Sequence, residues 1–109
     1  MLWGTWCASC AAEIKRVPAL AGIARPLPFV TLAIDPAHKA RTALVKSGSP
    51  IGDAYADDRP PAEVLADWGG KGAILPLAVA IDRQGRVCGR KRGLLGTDQV
   101  RQWARQCSR

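Results

Sequence analysis

Short apolar runs bounded by turn residues alternate along this chain with longer stretches that suit a helix. Helices are predicted at residues 7–17, 37–46 and 60–68, with a last helix beginning at residue 97 or 98. Strands are predicted at residues 29–35, 74–81 and 86–92, with a further short one at 54–56. This order predicts an α/β fold in which helices flank a mixed sheet.

The second half of the chain has the most regular pattern. The apolar run 74–81 ends at Asp82-Arg83-Gln84-Gly85, which predicts a hairpin turn and an antiparallel return of the chain. One face of the last predicted helix carries its apolar residues, which are Val100, Trp103, Ala104 and Cys107. Thr97 or Asp98 is the expected N-cap of that helix, and Pro18 is expected to mark a kink or a restart after the first helix.

Composition places the chain among ordinary globular proteins. It has 109 residues, 48% of them hydrophobic and 23% charged, so we expect one ordered domain over residues 1–109. No apolar run approaches the roughly 18 residues of a membrane span. Residues 1–4 show no secretory leader, which fits a cytoplasmic protein, a removed leader or a truncated chain.

The net charge of +7 is spread over the chain and is densest around Arg90-Lys91-Arg92. Such a run suits either a nucleic-acid contact or the solvated end of a strand. No aromatic residues are interleaved with it and no nucleic-acid motif is present. We therefore favour the strand end and expect no nucleic-acid partner, although the charge favours acidic partners or anionic lipid surfaces.

Two cysteines, Cys7 and Cys10, stand three positions apart at the predicted start of the first helix. Unpaired N–H groups and the helix dipole favour a thiolate there, and such sites lower a cysteine pKa from about 8.5 into the range of roughly 3.5–7.5. The thiolate is the nucleophile of disulfide exchange, and a second thiol one turn on can release the mixed disulfide. The spacing thus predicts that Cys7 attacks and Cys10 resolves.

Other roles for this pair carry less weight. A zinc site needs four ligands, and the remaining candidates, Cys88, Cys107 and His38, do not form a second close pair. The two cysteines can also be small hydrophobic residues of an apolar helix, or soft ligands that carry copper(I). We favour redox chemistry and expect no resident metal.

Four features together resemble the thioredoxin superfamily, and within it the TlpA/ResA/DsbE-like oxidoreductases. Trp3-Gly4-Thr5-Trp6-Cys7-Ala8-Ser9-Cys10 is similar to the W-x-x-W-C-x-x-C of that branch, and Glu13 follows at the usual distance. Leu75-Pro76, with the strand and hairpin after it, resembles the family's cis-proline segment. The closing strand, Gly93 and the last helix match in order and spacing, so the resemblance covers nearly the whole chain.

The resemblance implies a thioredoxin-like fold and a thiol–disulfide oxidoreductase of the protein-disulfide reductase type. The catalytic residues would be Cys7 and Cys10, with Pro76 cis and the backbone of Leu75 pairing with an extended substrate, whereas the plainer alternative is a trans Pro76 on an edge strand. Trp6 would cover the thiols, or else be a core tryptophan. The implied partners are proteins that carry a disulfide or dithiol, together with an upstream reductant protein, and no cofactor is implied.

TlpA-like relatives mostly act as reductants outside the cytoplasm. We therefore expect a periplasmic or otherwise extracytoplasmic protein, with a cytoplasmic one as the alternative. Any membrane contact is expected only through an N-terminal anchor.

Three departures from the family pattern leave an alternative open. The family's central strand precedes the motif, but here only Met1-Leu2 precedes Trp3, so the domain lacks its first strands or another segment supplies the pairing. Lys15 stands where the family has a helix proline, and no buried acid can be located. Glu13 is only a weak candidate for a proton acceptor, and a solvated helix residue is its favoured role. The alternative function is a non-catalytic thioredoxin-like interaction module.

Cys88 and Cys107 are candidates for a structural disulfide that would tie the closing strand to the last helix. That bond would close a loop of about 19 residues and contribute about 3 kcal/mol through loop entropy. Strand alternation places Cys88 with Arg86 and Arg90, on the expected solvent face, which argues for two free thiols instead. A second disulfide would support an extracytoplasmic location.

Overall fold

The computed structural model describes residues 1–70, 72 and 74–109. Within these residues, strands and helices follow the predicted order. The strands are β1 (Leu2–Trp3), β2 (Thr31–Ala33), β3 (Ala54–Ala56), β4 (Leu77–Ile81) and β5 (Val87–Arg92). The helices are α1 (Ala8–Ala24), α2 (Ala37–Ser47), α3 (Pro61–Asp67) and α4 (Thr97–Gln106).

The strands form one mixed sheet in the order β3-β2-β1-β4-β5. β1 pairs parallel to β2 and β2 parallel to β3, whereas β4 is antiparallel to both β1 and β5. α1 packs against α4 and α2. This arrangement confirms the predicted α/β class with a mixed sheet flanked by helices.

β1 occupies the centre of the sheet, although it has only two residues. Leu2 pairs with Leu32 on one side and with Leu77 on the other, and Trp3 pairs with Ala33. Leu2 and Trp3 are 3% and 2% exposed, so this short strand belongs to the hydrophobic core. Residues 2–3 therefore supply a two-residue strand at the centre of the sheet.

α1 runs through Pro18 without ending, so the predicted stop at residue 17 is wrong. A proline inside a helix cannot donate to the carbonyl four residues earlier, which here belongs to Ile14. The hydroxyl of Ser49, from the loop after α2, donates to that carbonyl oxygen at 2.5 Å. The helix therefore continues and adds Leu20 and Ala24 to the core beneath α4.

The contact between Ser49 and Ile14 predicts a stability effect. Ser49 is only 6% exposed, so in a Ser49→Ala variant the Ile14 carbonyl would be buried without a partner. We expect a loss of about 1–3 kcal/mol in the free energy of unfolding, measured by urea denaturation. Ser47→Ala is the matched control, because the Ser47 hydroxyl bonds only to carbonyls of its own helix. Equal losses in the two variants would contradict this role of Ser49.

β4 and β5 form the predicted hairpin. The backbone N–H groups of Arg86 and Gln84 donate to one carboxylate oxygen of Asp82 at 3.0 and 2.9 Å, and these bonds lower the pKa of Asp82 below its ordinary value. Gly85 adopts a positive φ of 80° in this turn, a conformation that favours glycine.

A bulge in β5 overturns strict alternation along that strand. Ile81 pairs with Val87 and Ala80 with Gly89, so Cys88 is the extra residue. Bulges of this kind redirect a side chain. Cys88 packs against the core cluster that contains Trp103 and Cys107, rather than lying on the solvent face with its charged neighbours.

α4 buries the predicted apolar face, whose members Val100, Trp103, Ala104 and Cys107 are all buried. Its N-cap, however, is Gly96 rather than Thr97 or Asp98. The Gly96 carbonyl already accepts from the N–H of Val100, so the helix begins earlier than its side-chain signals indicate. No helix among the described residues is long and apolar enough to cross a membrane.

Candidate redox-active site

Cys7 is the N-cap of α1, and Cys10 lies in the first turn of that helix. Cys7 and Cys10 are joined by a disulfide. The backbone N–H of Cys10 donates to Cys7 Sγ at 3.2 Å, as a capping side chain accepts from the first turn of a helix. Cys7 is partly exposed, whereas Cys10 is fully buried. The two sulfur atoms thus differ in accessibility, and an external reactant can reach Cys7 first.

Leu75 and Pro76 lie directly beside this pair. The Leu75–Pro76 peptide bond is cis, and the Leu75 carbonyl oxygen is 3.7 Å from Cys7 Sγ. The hydroxyl of Ser9 donates to the same carbonyl at 3.2 Å and lies 3.4 Å from Cys7 Sγ. The fold therefore brings together two segments that are 68 positions apart in the chain.

Trp6 lies on the surface beside the cysteines and is 62% exposed. The alternative that it is a core tryptophan is wrong, and Trp3 takes that position instead. The indole ring of Trp6 lies over Gly4, where an added Cβ atom would come within 2.8 Å of the ring carbon Cε2. Gly4 therefore lets the exposed indole lie flat against the turn that leads to Cys7.

Asp35 and Thr5 hold that turn in place, a role that no local sequence motif indicated. The backbone N–H of Thr5 donates to Asp35 Oδ2 at 2.7 Å, and its hydroxyl donates to Oδ1 at 3.1 Å. The parallel pairing of β1 with β2 explains why these two residues meet. Trp3 pairs with Ala33, so Thr5 and Asp35, each two residues further on, lie side by side. Asp35 therefore acts as a positioning residue for the segment that carries Cys7.

Glu13 is fully buried, so its favoured role as a solvated helix residue is wrong. One carboxylate oxygen accepts from the guanidinium of Arg16 at 2.7 Å, and the other accepts from the N–H of Leu95 at 3.3 Å. The same guanidinium nitrogen of Arg16 donates to the Leu95 carbonyl at 3.1 Å. Glu13 thus ties α1 to the segment before α4, and both of its oxygens are already engaged.

Cys88 and Cys107 are joined by a second disulfide, with their Cα atoms 5.9 Å apart. Cys88 is the bulged residue of β5 and packs against the core cluster that contains Cys107. Among the residues that the structure describes, no three His, Cys, Asp or Glu side chains cluster as metal ligands would.

The chain resembles solved structures and not known sequences. No protein-family model and no curated protein sequence matches it. Among solved structures, MTB DsbF in its mixed oxidized and reduced forms aligns with a TM-score of 0.73 at 21% identity, over 98% of this chain and 77% of DsbF. StoA from Bacillus subtilis aligns with a TM-score of 0.69 at 16% identity, over 94% of this chain and 77% of StoA.

A third similar structure is the pneumococcal exposed lipoprotein thioredoxin Etrx1 from Streptococcus pneumoniae strain TIGR4. It aligns with a TM-score of 0.63 at 22% identity, over 95% of this chain and 79% of Etrx1. These likenesses confirm the thioredoxin-like fold that the sequence predicted. The chain therefore has a thioredoxin-like fold, with a Cys-x-x-Cys pair at the start of its first helix.

Proposed function

We propose that this protein is a thiol–disulfide oxidoreductase that reduces disulfides in partner proteins through Cys7 and Cys10. The observation that carries the proposal is the unequal placement of the two sulfur atoms at the start of α1. Cys7 is accessible and accepts a backbone N–H at its sulfur, whereas Cys10 is buried one turn on. A site of this kind favours the thiolate at the first position, where the nucleophile is needed.

The reaction begins with the reduced protein and a disulfide in the partner. The Cys7 thiolate attacks one partner sulfur, the partner S–S bond breaks, and the departing sulfur takes up a proton as a thiol. Cys10 then loses its proton and attacks Cys7 Sγ, which releases the second partner thiol. The products are the Cys7–Cys10 disulfide and a partner dithiol, so two electrons have passed to the partner. An upstream dithiol protein restores the reduced pair by the same exchange in reverse.

The residues around Cys7 suit the binding of an extended substrate. The backbone of Leu75 is close to Cys7 Sγ, which supports its role beside Pro76 in pairing with the segment that carries the partner disulfide. Trp6, the residue before Cys7, offers an exposed aromatic side chain. Exposed aromatic side chains of this kind supply contact area at low entropic cost, which supports substrate binding by Trp6.

We also propose an extracytoplasmic location, with a cytoplasmic one as the alternative. The Cys88–Cys107 pair supports it, because structural disulfides persist in oxidising compartments. The name of Etrx1 describes that structural neighbour as an exposed lipoprotein. The proposed partners remain disulfide-bearing or dithiol proteins and an upstream reductant protein.

Two measurements on the unmodified chain test the proposed function. In an insulin-reduction assay with dithiothreitol, we expect the protein to raise the rate of insulin precipitation well above dithiothreitol alone. The rate at which iodoacetamide alkylates the reduced protein should show a Cys7 pKa below the ordinary value of about 8.5. Insulin turnover at the dithiothreitol rate, together with an ordinary Cys7 pKa, would favour the non-catalytic interaction module instead.

A further inference from the structure

A groove of about 340 Å³ opens beside Cys7, between α1 and α2. One wall is a face of α1 that carries Cys7, Ala11 and Lys15, at intervals of four residues. The opposite wall comes from the end of α2 and includes Lys46, while Thr5 closes the groove beneath. The groove therefore begins at the proposed nucleophile and leads away from it along the helix.

The charges around this groove are of one sign. Lys15 and Lys46 lie on opposite walls, both are exposed, and neither forms an ion pair with a residue that the structure describes. Asp35 is not a lining residue of the groove, and both of its carboxylate oxygens already accept hydrogen bonds from Thr5. Two exposed lysines thus line a largely apolar channel that contains no carboxylate among its lining residues.

We propose that this groove binds an acidic side chain of the disulfide-bearing partner, so that the preferred substrates carry Asp or Glu close to the cysteine that Cys7 attacks. The inference rests on the proposed function and deepens it by naming a substrate class. The two lysines complement a carboxylate, and the apolar walls reduce the screening of that charge by water.

The distance from Cys7 to Lys15 determines how many residues should separate the acidic residue of the substrate from the substrate cysteine that Cys7 attacks. Lys15 lies eight residues beyond Cys7, which is roughly 12 Å along a helix that rises 1.5 Å per residue. Helical side chains lean towards the N-terminus, which brings the ammonium nearer to Cys7. An extended substrate advances about 3.3 Å per residue, so its carboxylate belongs roughly two to four residues from its cysteine.

Matched synthetic peptides test this inference. Each contains the same disulfide and differs only in carrying Glu or Gln three residues from the attacked cysteine. We expect the wild-type protein to reduce the Glu peptide with a kcat/KM roughly three- to tenfold higher, mainly through a lower KM. In a Lys15→Gln/Lys46→Gln variant this ratio should approach one. In the wild type, 0.5 M NaCl should reduce it, because salt screens the attraction.

The control variant is Lys39→Gln/Lys91→Gln, which removes the same charge from two exposed lysines outside the groove. We expect it to keep the wild-type preference for the Glu peptide. Equal reduction of the two peptides by the wild type, or a preference that survives in the Lys15/Lys46 variant, would overturn the acidic-substrate inference and leave the proposed function intact. If neither peptide is reduced, both proposals fail.

Discussion

A Cys10→Ser variant is expected to accumulate a covalent adduct with a disulfide-bearing protein, while a Cys7→Ser variant forms none. Cys7 is the accessible sulfur, so it forms the mixed disulfide, and the buried Cys10 is the thiol that would release it. Without Cys10 the adduct persists, and without Cys7 no attack occurs because a serine hydroxyl is not ionised at neutral pH. Mass spectrometry of the reduced variants mixed with insulin, under non-reducing conditions, measures the adduct.

Both variants should lose insulin turnover down to the rate of dithiothreitol alone, which makes the adduct the distinguishing measurement. Each variant serves as the control of the other, since each retains a single cysteine in the motif and the same Cys88–Cys107 bond. Adduct formation by Cys7→Ser but not by Cys10→Ser would reverse the two roles. Full turnover in either variant would exclude the two-cysteine mechanism.

Removing the second disulfide is expected to cause a large loss of stability. Cys88 and Cys107 are 19 positions apart, and closing a loop of that length contributes about 3 kcal/mol in the loop-entropy relation. A Cys88→Ala/Cys107→Ala variant should therefore unfold at a lower urea concentration. Its melting temperature should fall by the order of 10 °C.

The control for this loss is a Cys7→Ala/Cys10→Ala variant, whose disulfide spans only three positions. The same entropy relation assigns a loop this short about 2 kcal/mol, so the loss should be smaller. The Cys88/Cys107 variant should keep its insulin-reduction activity, because neither residue lies at the Cys7 site. An unchanged unfolding midpoint in that variant would contradict a stabilising role for the bond.

Local patterns carried most of the predictions that the structure confirms. The hairpin at residues 82–85 and the buried face of α4 depend on neighbours a few positions apart, so their signals are complete within short windows of sequence. The placement of Cys7 and Cys10 at the start of a helix is equally local. The α/β class followed from the order of such elements, and the thioredoxin-like fold was what the resemblance around Cys7, Cys10 and Pro76 implied.

The errors arose where a distant residue changes the outcome. Pro18 leaves the carbonyl of Ile14 without its helical donor, and the donor that replaces it is the hydroxyl of Ser49, 31 positions beyond Pro18 in the chain. Glu13 looks like a surface residue until Arg16 and Leu95 enclose its carboxylate. Cys88 was assigned to the solvent face because alternation in a strand does not reveal a bulge.

By itself, the sequence determined the spacing of the two cysteines at the start of a helix and the order of the elements. Both depend on residue types at short spacings, where backbone geometry leaves few arrangements. The tertiary structure decided which segments surround the two cysteines. It places Leu75 beside Cys7, lets Asp35 accept from Thr5, and forms the groove that Lys15 and Lys46 line. These contacts form only when the whole core packs, because their geometry depends on the simultaneous burial of several elements and not on any single stretch of chain.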